Sequence, residues 1–171
     1  MAYLRYSWDW VMFGSDRTAL RRTFAEAWRK DRQGLLLEPL QALIVEVIGA
    51  HPEYHRTVED ERSLERDYLP DGGQSNPFLH MAMHLSLAEQ CAADRPPGIT
   101  KALGRAVARE QRRGASVHDV QHQAMRCLER VLWEAQSEGR APDEAGYLKC
   151  VRSLAQGKGV GKGRSKDVGS R

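Results

Sequence analysis

The six histidines of the chain are its most informative residues, because all of them fall into pairs spaced four residues apart. The pairs are His51 with His55, His80 with His84, and His118 with His122. Residues four apart lie on the same face of an α-helix, so each pair can present two imidazoles to one ion. Imidazole is the commonest metal ligand among side chains, and its pKa of about 6.5 leaves much of it neutral at cytoplasmic pH. The spacing therefore predicts a metal site.

Two of the pairs share a helical stripe with a further potential ligand. At about 100° per residue, one stripe contains His80, His84 and Cys91, and the other contains His118, His122 and Glu129. We predict that these two helices face each other around the ion, with His51 or His55 closing the site, as helical bundles build internal metal sites. Nitrogen and oxygen ligands admit Zn, Fe, Mn or Ni, and a thiol would favour Zn.

Two kinds of function follow from such a site. Three histidines with an open coordination position can activate water for hydrolysis, with Glu129 as ligand or general base, and a dinuclear site bridged by Glu129 could instead bind oxygen. A metal-dependent hydrolase is the first hypothesis. The alternative is a non-enzymatic interaction or adaptor protein, in which the histidine pairs hold helices together by hydrogen bonds.

The elements that must position these residues are helices, because capping and breaker residues divide the chain and no bounded alternating strand pattern occurs. The predicted helices run from about 15 to 33, 39 to 49, 76 to 93, 99 to 112, 116 to 139 and 142 to 155. Between the second and third of these, a short helix is predicted with His51 near its N-cap and His55 in its first full turn. The polar stretch 59–73 is predicted as a long loop. Trp28 and Trp133 are interpreted as core anchors. The fold class is all-α, a bundle of about six or seven helices.

The chain has 171 residues, of which 41% are hydrophobic, and this size predicts one domain over 12–156. No apolar run approaches the roughly 18 residues that span a membrane, so we predict a cytoplasmic protein. Its cysteines are Cys91, Cys127 and Cys150. An odd number without Cys-x-x-Cys spacing argues against a disulfide framework and a zinc ribbon, so reduced thiols are expected.

The formal net charge of +3 depends on the C-terminal segment. Segment 157–171 contains five Lys and Arg against one Asp, a charge of +4, which leaves −1 for the rest of the chain. We predict that 157–171 is a disordered basic tail, because it has little to bury. The near-neutral remainder gives no electrostatic case for a nucleic-acid surface on the folded body, although the tail could contact RNA.

With these residues identified, the chain resembles the bacterial domain-of-unknown-function family 1841. The resemblance over about 12–155 rests on Ala27-Trp28-Arg29, His51-Pro52-Glu53-Tyr54-His55, Gln74 through His80 and His84 to Glu89-Gln90, Pro97-Gly98-Ile99, His118 to His122, Cys127-Leu128-Glu129 and Trp133-Glu134-Ala135-Gln136. It implies a small helical protein and assigns neither an activity nor metal ligands. It also implies a start near Met12, so 1–11 is interpreted as an upstream extension or a misassigned start.

Overall fold

The computed structural model describes residues 17–68 and 76–157, which are mainly helical and contain no strand within those ranges. The helices are α1 (Arg17–Arg32), α2 (Pro39–Gly49), a 3-10 turn (Pro52–Tyr54), α3 (His55–Glu59), α4 (Glu61–Glu65), α5 (Pro77–Ala93), α6 (Ile99–Gln111), α7 (Val117–Glu138) and α8 (Glu144–Leu154). The predicted all-α class is confirmed. None of these helices combines the length and apolar character that crossing a membrane requires.

Most helix ends lie where the capping residues predict them. Asn76 Oδ1 accepts hydrogen bonds from the amide of Phe78 at 3.1 Å and from the next amide at 3.2 Å, which starts α5. Ser116 and Asp119 form the predicted capping box at the start of α7. Gly139, with φ of +61°, ends that helix in the left-handed conformation that glycine adopts readily.

Two element predictions need correction. The stretch predicted as a loop contains α4, whose first turn is capped by Asp60, because its carboxylate accepts from the Arg62 amide at 3.1 Å. The last helix begins at Glu144 with Asp143 as its cap, two residues after the predicted start. The predicted cap at Ser15, the N-terminal extension and the tail beyond 157 lie outside the described residues.

The chain divides into two compact units, Met1–Glu89 and Gln90–Arg171, while the single domain over 12–156 stays a prediction. In the first unit, α1 to α4 and the first turns of α5 contribute to one apolar core. Its buried members include Phe24, Ile44, Ile48, Phe78 and Met81. Burial of these side chains is the main stabilising contribution in this unit.

Arg21 fixes the segment after α4 against α1, a role that the sequence did not reveal. Its side chain is 5% exposed and donates to the carbonyl oxygens of Leu64 at 2.9 Å and Arg66 at 2.8 Å. The guanidinium also lies over the rings of Tyr68 and Phe78, at 5.1 and 5.4 Å from their centroids. The two hydrogen-bond acceptors and the two aromatic faces compensate the desolvation cost of burying this charge. The short α4 is therefore held in place by long-range contacts.

The second unit packs α6, α7 and α8 against one another. A disulfide between Cys127 of α7 and Cys150 of α8 joins two of these helices, with their Cα atoms 5.8 Å apart. The expectation that all cysteines are reduced is therefore wrong for this pair. Cys91 is the free cysteine among the described residues. Its half-buried position raises the pKa of its thiol, chiefly through desolvation and further through Asp94, which disfavours the nucleophilic thiolate.

The two tryptophans interpreted as core anchors differ. Trp28 is buried, and its Nε1 donates to Glu59 Oε1 at 2.9 Å. Trp133 is 68% exposed, so its assignment to the core is wrong. Leu132, which precedes it on α7, is buried instead. A one-residue step turns a helical side chain by about 100°, which is enough to move it from core to solvent.

Asp94 connects the end of α5 to the start of α6. Its carboxylate accepts from the amide of Gly98 at 3.0 Å and from the amide of Thr100 at 3.1 Å. These hydrogen bonds lower the pKa of Asp94, because they favour the ionised form.

A prediction on pH follows from this lowered pKa. A group whose pKa is lower in the folded state contributes stability that is complete above the unfolded pKa of about 3.9 and is lost as the pH falls through the folded pKa. Asp94→Asn should lower the melting temperature by a few degrees at pH 7, and the difference should shrink toward zero in strong acid. Thermal melts of both proteins from pH 7 to pH 2 measure this. A difference that does not depend on pH would contradict it.

Candidate metal centre

His51 occupies the junction between α2 and the 3-10 turn, where it is the N-terminal cap residue of that turn. Its ring is buried, with 1% of the side chain exposed, and its Nδ1 lies 2.6 Å from the carbonyl oxygen of Val47. Because a carbonyl oxygen only accepts, Nδ1 carries the hydrogen of this bond. In the neutral ring the lone pair is then on Nε2. A backbone carbonyl that fixes the tautomer is the usual outer-shell partner of a metal-binding histidine.

His80 and His84 lie in the first two turns of α5, which Asn76 and Pro77 start. The four-residue spacing places both rings on one face, with centroids 5.0 Å apart. His84 is 5% exposed and His80 is half-buried. Neutral imidazole is the form that binds metal.

These three histidines come together within the first unit. The Nε2 atoms of His51 and His80 are 3.1 Å apart, and the His51 and His84 ring centroids are 4.6 Å apart. One ring nitrogen from each of the three lies within 4.8 Å of the others. With Zn–N distances of about 2.0 to 2.1 Å, two ligands of a tetrahedral ion are about 3.3 Å apart. The His51 and His80 nitrogens are therefore at the spacing of two ligands to one ion, and a His84 ring nitrogen lies within 4.8 Å of both.

Tyr54 supports this group, although the sequence analysis assigned it no role. Its ring is stacked on His51, with centroids 5.6 Å apart and planes at 9°, and meets His80 edge-on at 5.7 Å. The aromatic contacts limit how far both imidazoles can turn. The signal in the sequence was the position of Tyr54 inside the His51 to His55 motif.

His55 does not belong to this group. Its Nε2 lies 3.0 Å from the carbonyl oxygen of Ile48 and therefore donates to it, and its ring packs on Trp28 at a centroid distance of 4.5 Å. The 3-10 turn that begins at Pro52 separates it from His51. The structure thus brings His51, and not His55, to the pair on α5.

The third pair lies in the second unit, at the start of α7. The Nε2 atoms of His118 and His122 are 2.9 Å apart, and both rings are half-buried. Hydrogen bonds from Ser116 lower the pKa of the neighbouring Asp119, and the two histidines add to this effect. Asp119 is thereby engaged by Ser116 in the capping box that starts α7.

Glu129 follows His122 by seven residues, or about 10 Å along the helix axis. It is exposed, and it is not among the described residues whose ligand atoms cluster. Partial desolvation raises its pKa, although Arg126 opposes the shift. The roles of Glu129 and of the His118 and His122 pair as ligands of a shared ion stay predictions.

Comparison with known proteins confirms the resemblance that these motifs carry. The sequence model of the family described as "Domain of unknown function (DUF1841)" matches residues 16–153. Searches of the curated proteins and of the solved structures found no match to the chain. Because the matched region contains all six histidines and most of the sequence, the chain belongs to the DUF1841 family.

Proposed function

We propose that this protein binds a divalent metal ion through the imidazoles of His51, His80 and His84. The observation that carries the proposal is the geometry of His51. Its Nδ1 is fixed by the Val47 carbonyl, and its lone-pair nitrogen points to within 3.1 Å of His80 Nε2. A buried imidazole, oriented by a backbone carbonyl and placed beside two others, is an arrangement that suits a metal ion.

Zn is the metal that we propose first, with Fe, Mn or Ni as the alternatives. Three imidazole ligands suit these borderline ions, whereas Mg and Ca prefer oxygen. Three protein ligands also correspond to the catalytic class of zinc sites, which keep a coordination position for water. An ion held in this way would supply water with a pKa of about 7 as a nucleophile, so we propose a metal-dependent hydrolase. We also propose that it works in the cytoplasm. The role of Glu129 as ligand or general base, on α7 of the second unit, stays a prediction from the sequence.

The competing function is that of an interaction or adaptor protein whose histidines are structural. A specific observation favours it, because 3.1 Å between two ring nitrogens is also a hydrogen-bond distance. In that case His80 donates to the lone pair of His51, and the three rings simply fill the core. The two functions differ in whether a metal stabilises the folded state.

The test uses the full chain purified without an affinity tag or a metal column. Elemental analysis should find close to one metal ion per three-histidine site, and thermal melting should show stabilisation by added Zn. An ion that binds only the folded state at 100 times its dissociation constant adds about 2.7 kcal/mol to the free energy of unfolding. A chelator should reverse the shift. If the protein carries no metal and none of Zn, Fe, Mn and Ni changes its melting, the adaptor function is the better account.

A further inference from the structure

A second site of different chemistry lies in the second unit, between α6 and α8. It is a groove of about 730 Å³, and its lining is rich in cations. The basic residues that line it are Lys101, Arg105, Arg109, Arg112 and Arg152. No Asp or Glu lines the groove within the described part of the chain. Its other lining residues are Gly98, Ala102, Ala108, Ala155 and Gln156, which are small or neutral.

The sequence of α6 explains this arrangement. Ile99, Ala102, Leu103 and Ala106 are buried, which turns the opposite face of the helix to solvent. Lys101, Arg105 and Arg112 are exposed on that face, and Arg109 is half-buried. At about 1.5 Å per residue, the helix rises about 16 Å from Lys101 to Arg112, so the cations between them form a row of that length.

Acidic neighbours cancel only part of this charge. Glu110 forms ion pairs with Arg109 and with Arg113, so one cation of the groove is balanced. Asp94, at the end nearest Gly98, is engaged with the amides that start α6. The row that remains consists of Lys101, Arg105, Arg112 and Arg152. Cations held this close repel one another, and an anionic ligand relieves that repulsion.

Two glycines make room for guanidinium groups of the groove. The Arg152 guanidinium lies against Gly98, where a β-carbon would be 3.3 Å from its Nη2. At the other end, Gly157 leaves room for the Arg109 guanidinium, which a β-carbon there would displace. The chain continues from Gly157 into the segment that contains Lys158, Lys162, Arg164, Lys166 and Arg171.

We propose that this groove binds the phosphate backbone of a double-stranded nucleic acid without regard to sequence. Arginine is the residue suited to phosphate, because its planar guanidinium donates two parallel hydrogen bonds to the phosphate oxygens. The described lining contains no aromatic residue on which unpaired bases could stack, which favours a duplex over a single strand. It also lacks the large apolar side chains that anchor a protein in an anionic membrane. The net charge of the chain does not reveal such a site, because it sums the basic residues of the groove with the acidic residues elsewhere.

The test measures binding of the full chain to a fluorescent 20-base-pair duplex by anisotropy, with DNA and RNA arms of the same sequence. The groove variant carries Arg105→Gln, Arg112→Gln and Arg152→Gln. The matched control variant removes the same charge from the same unit outside the groove, through Arg126→Gln, Arg130→Gln and Lys149→Gln. A tail variant with Lys158→Gln, Lys162→Gln and Lys166→Gln separates the contribution of the last segment.

We expect micromolar binding of the wild type at 50 mM salt and equal affinity for unrelated sequences. The groove variant should bind at least about tenfold more weakly. Its slope of log K against log salt should be smaller by about two to three, since each phosphate contact contributes roughly 0.9. The control variant should bind as the wild type does. The DNA and RNA arms identify which duplex is preferred.

Three results would overturn the proposal. These are equal binding by the groove and control variants, loss of binding in the tail variant alone, and binding to phosphatidylserine vesicles with none to either duplex. If the groove variant melts more than a few degrees below the control variant, Arg105→Gln alone is used instead. It should reduce the slope by about one. The outcome is independent of the metal proposal, because the variants leave every histidine in place.

Discussion

Replacing His51 with alanine is expected to weaken Zn binding by at least about 100-fold. Loss of an outer-shell partner alone typically costs 10- to 100-fold in metal affinity, and loss of a ligand should cost no less. His80→Ala should have the same effect for the same reason. Competition with a chromophoric zinc indicator measures both affinities. His80 is half-buried where His51 is 1% exposed, so the second variant tests the site with less damage to packing.

The matched control is His55→Ala. It removes a histidine from the same motif and the same unit, but one whose Nε2 is engaged by the Ile48 carbonyl and whose ring packs on Trp28. This variant should lose some stability and keep the wild-type affinity for Zn. If His55→Ala weakens binding as much as His51→Ala does, the ligand set is wrong. If all three variants bind like the wild type, the first unit does not contain the site.

Local signals were sufficient to predict most of the helices. A cap such as Asn76 followed by Pro77, or Ser116 followed by Asp119, acts within one turn, so the sequence alone reveals it. The helix α4 could not be recognised in this way. It has five residues, of which only Leu64 is apolar, and its position depends on Arg21, which is 43 residues away.

The sequence was sufficient to predict that histidines form the candidate site, but only partly which of them lie together. The pair His80 and His84 shares a face because the helix continues through both residues. The pair His51 and His55 has the same spacing, but a 3-10 turn lies between its members, and each ring donates to a different carbonyl of α2. Which of the two joins α5 depends on tertiary packing. The basic groove was hidden for a related reason, since Arg152 joins the row on α6 only through the packing of α8.

The pairing of cysteines was the clearest failure, and it leads to the second large effect that we expect. Cys127 and Cys150 lie on different helices, 23 residues apart, so no local spacing reveals that they meet. Reduction of this disulfide should lower the free energy of unfolding by about 3 kcal/mol, because it releases a loop of that length in the unfolded chain. Urea denaturation with and without a thiol reductant measures the difference.

A matched control separates this effect from other thiol chemistry. Cys91→Ala removes the free thiol and should leave both the stability difference and its dependence on reductant unchanged. Counting thiols in the denatured chain should give one before reduction and three after it. Three thiols before reduction would contradict the disulfide.

The number of free thiols in the cell also indicates the compartment in which the protein works. Disulfides are rare in the cytosol, where glutathione and thioredoxin keep thiols reduced. Both sulfurs of this bond belong to buried residues, with 0% of Cys127 and 7% of Cys150 exposed, so reductants reach them mainly when the second unit opens. Lysis directly into denaturant with an excess of alkylating reagent exposes all three cysteines and should therefore trap the state present in the cell. One modified cysteine would mean that the bond forms there and would argue against the cytoplasm, whereas three would agree with the cytoplasmic location that we propose.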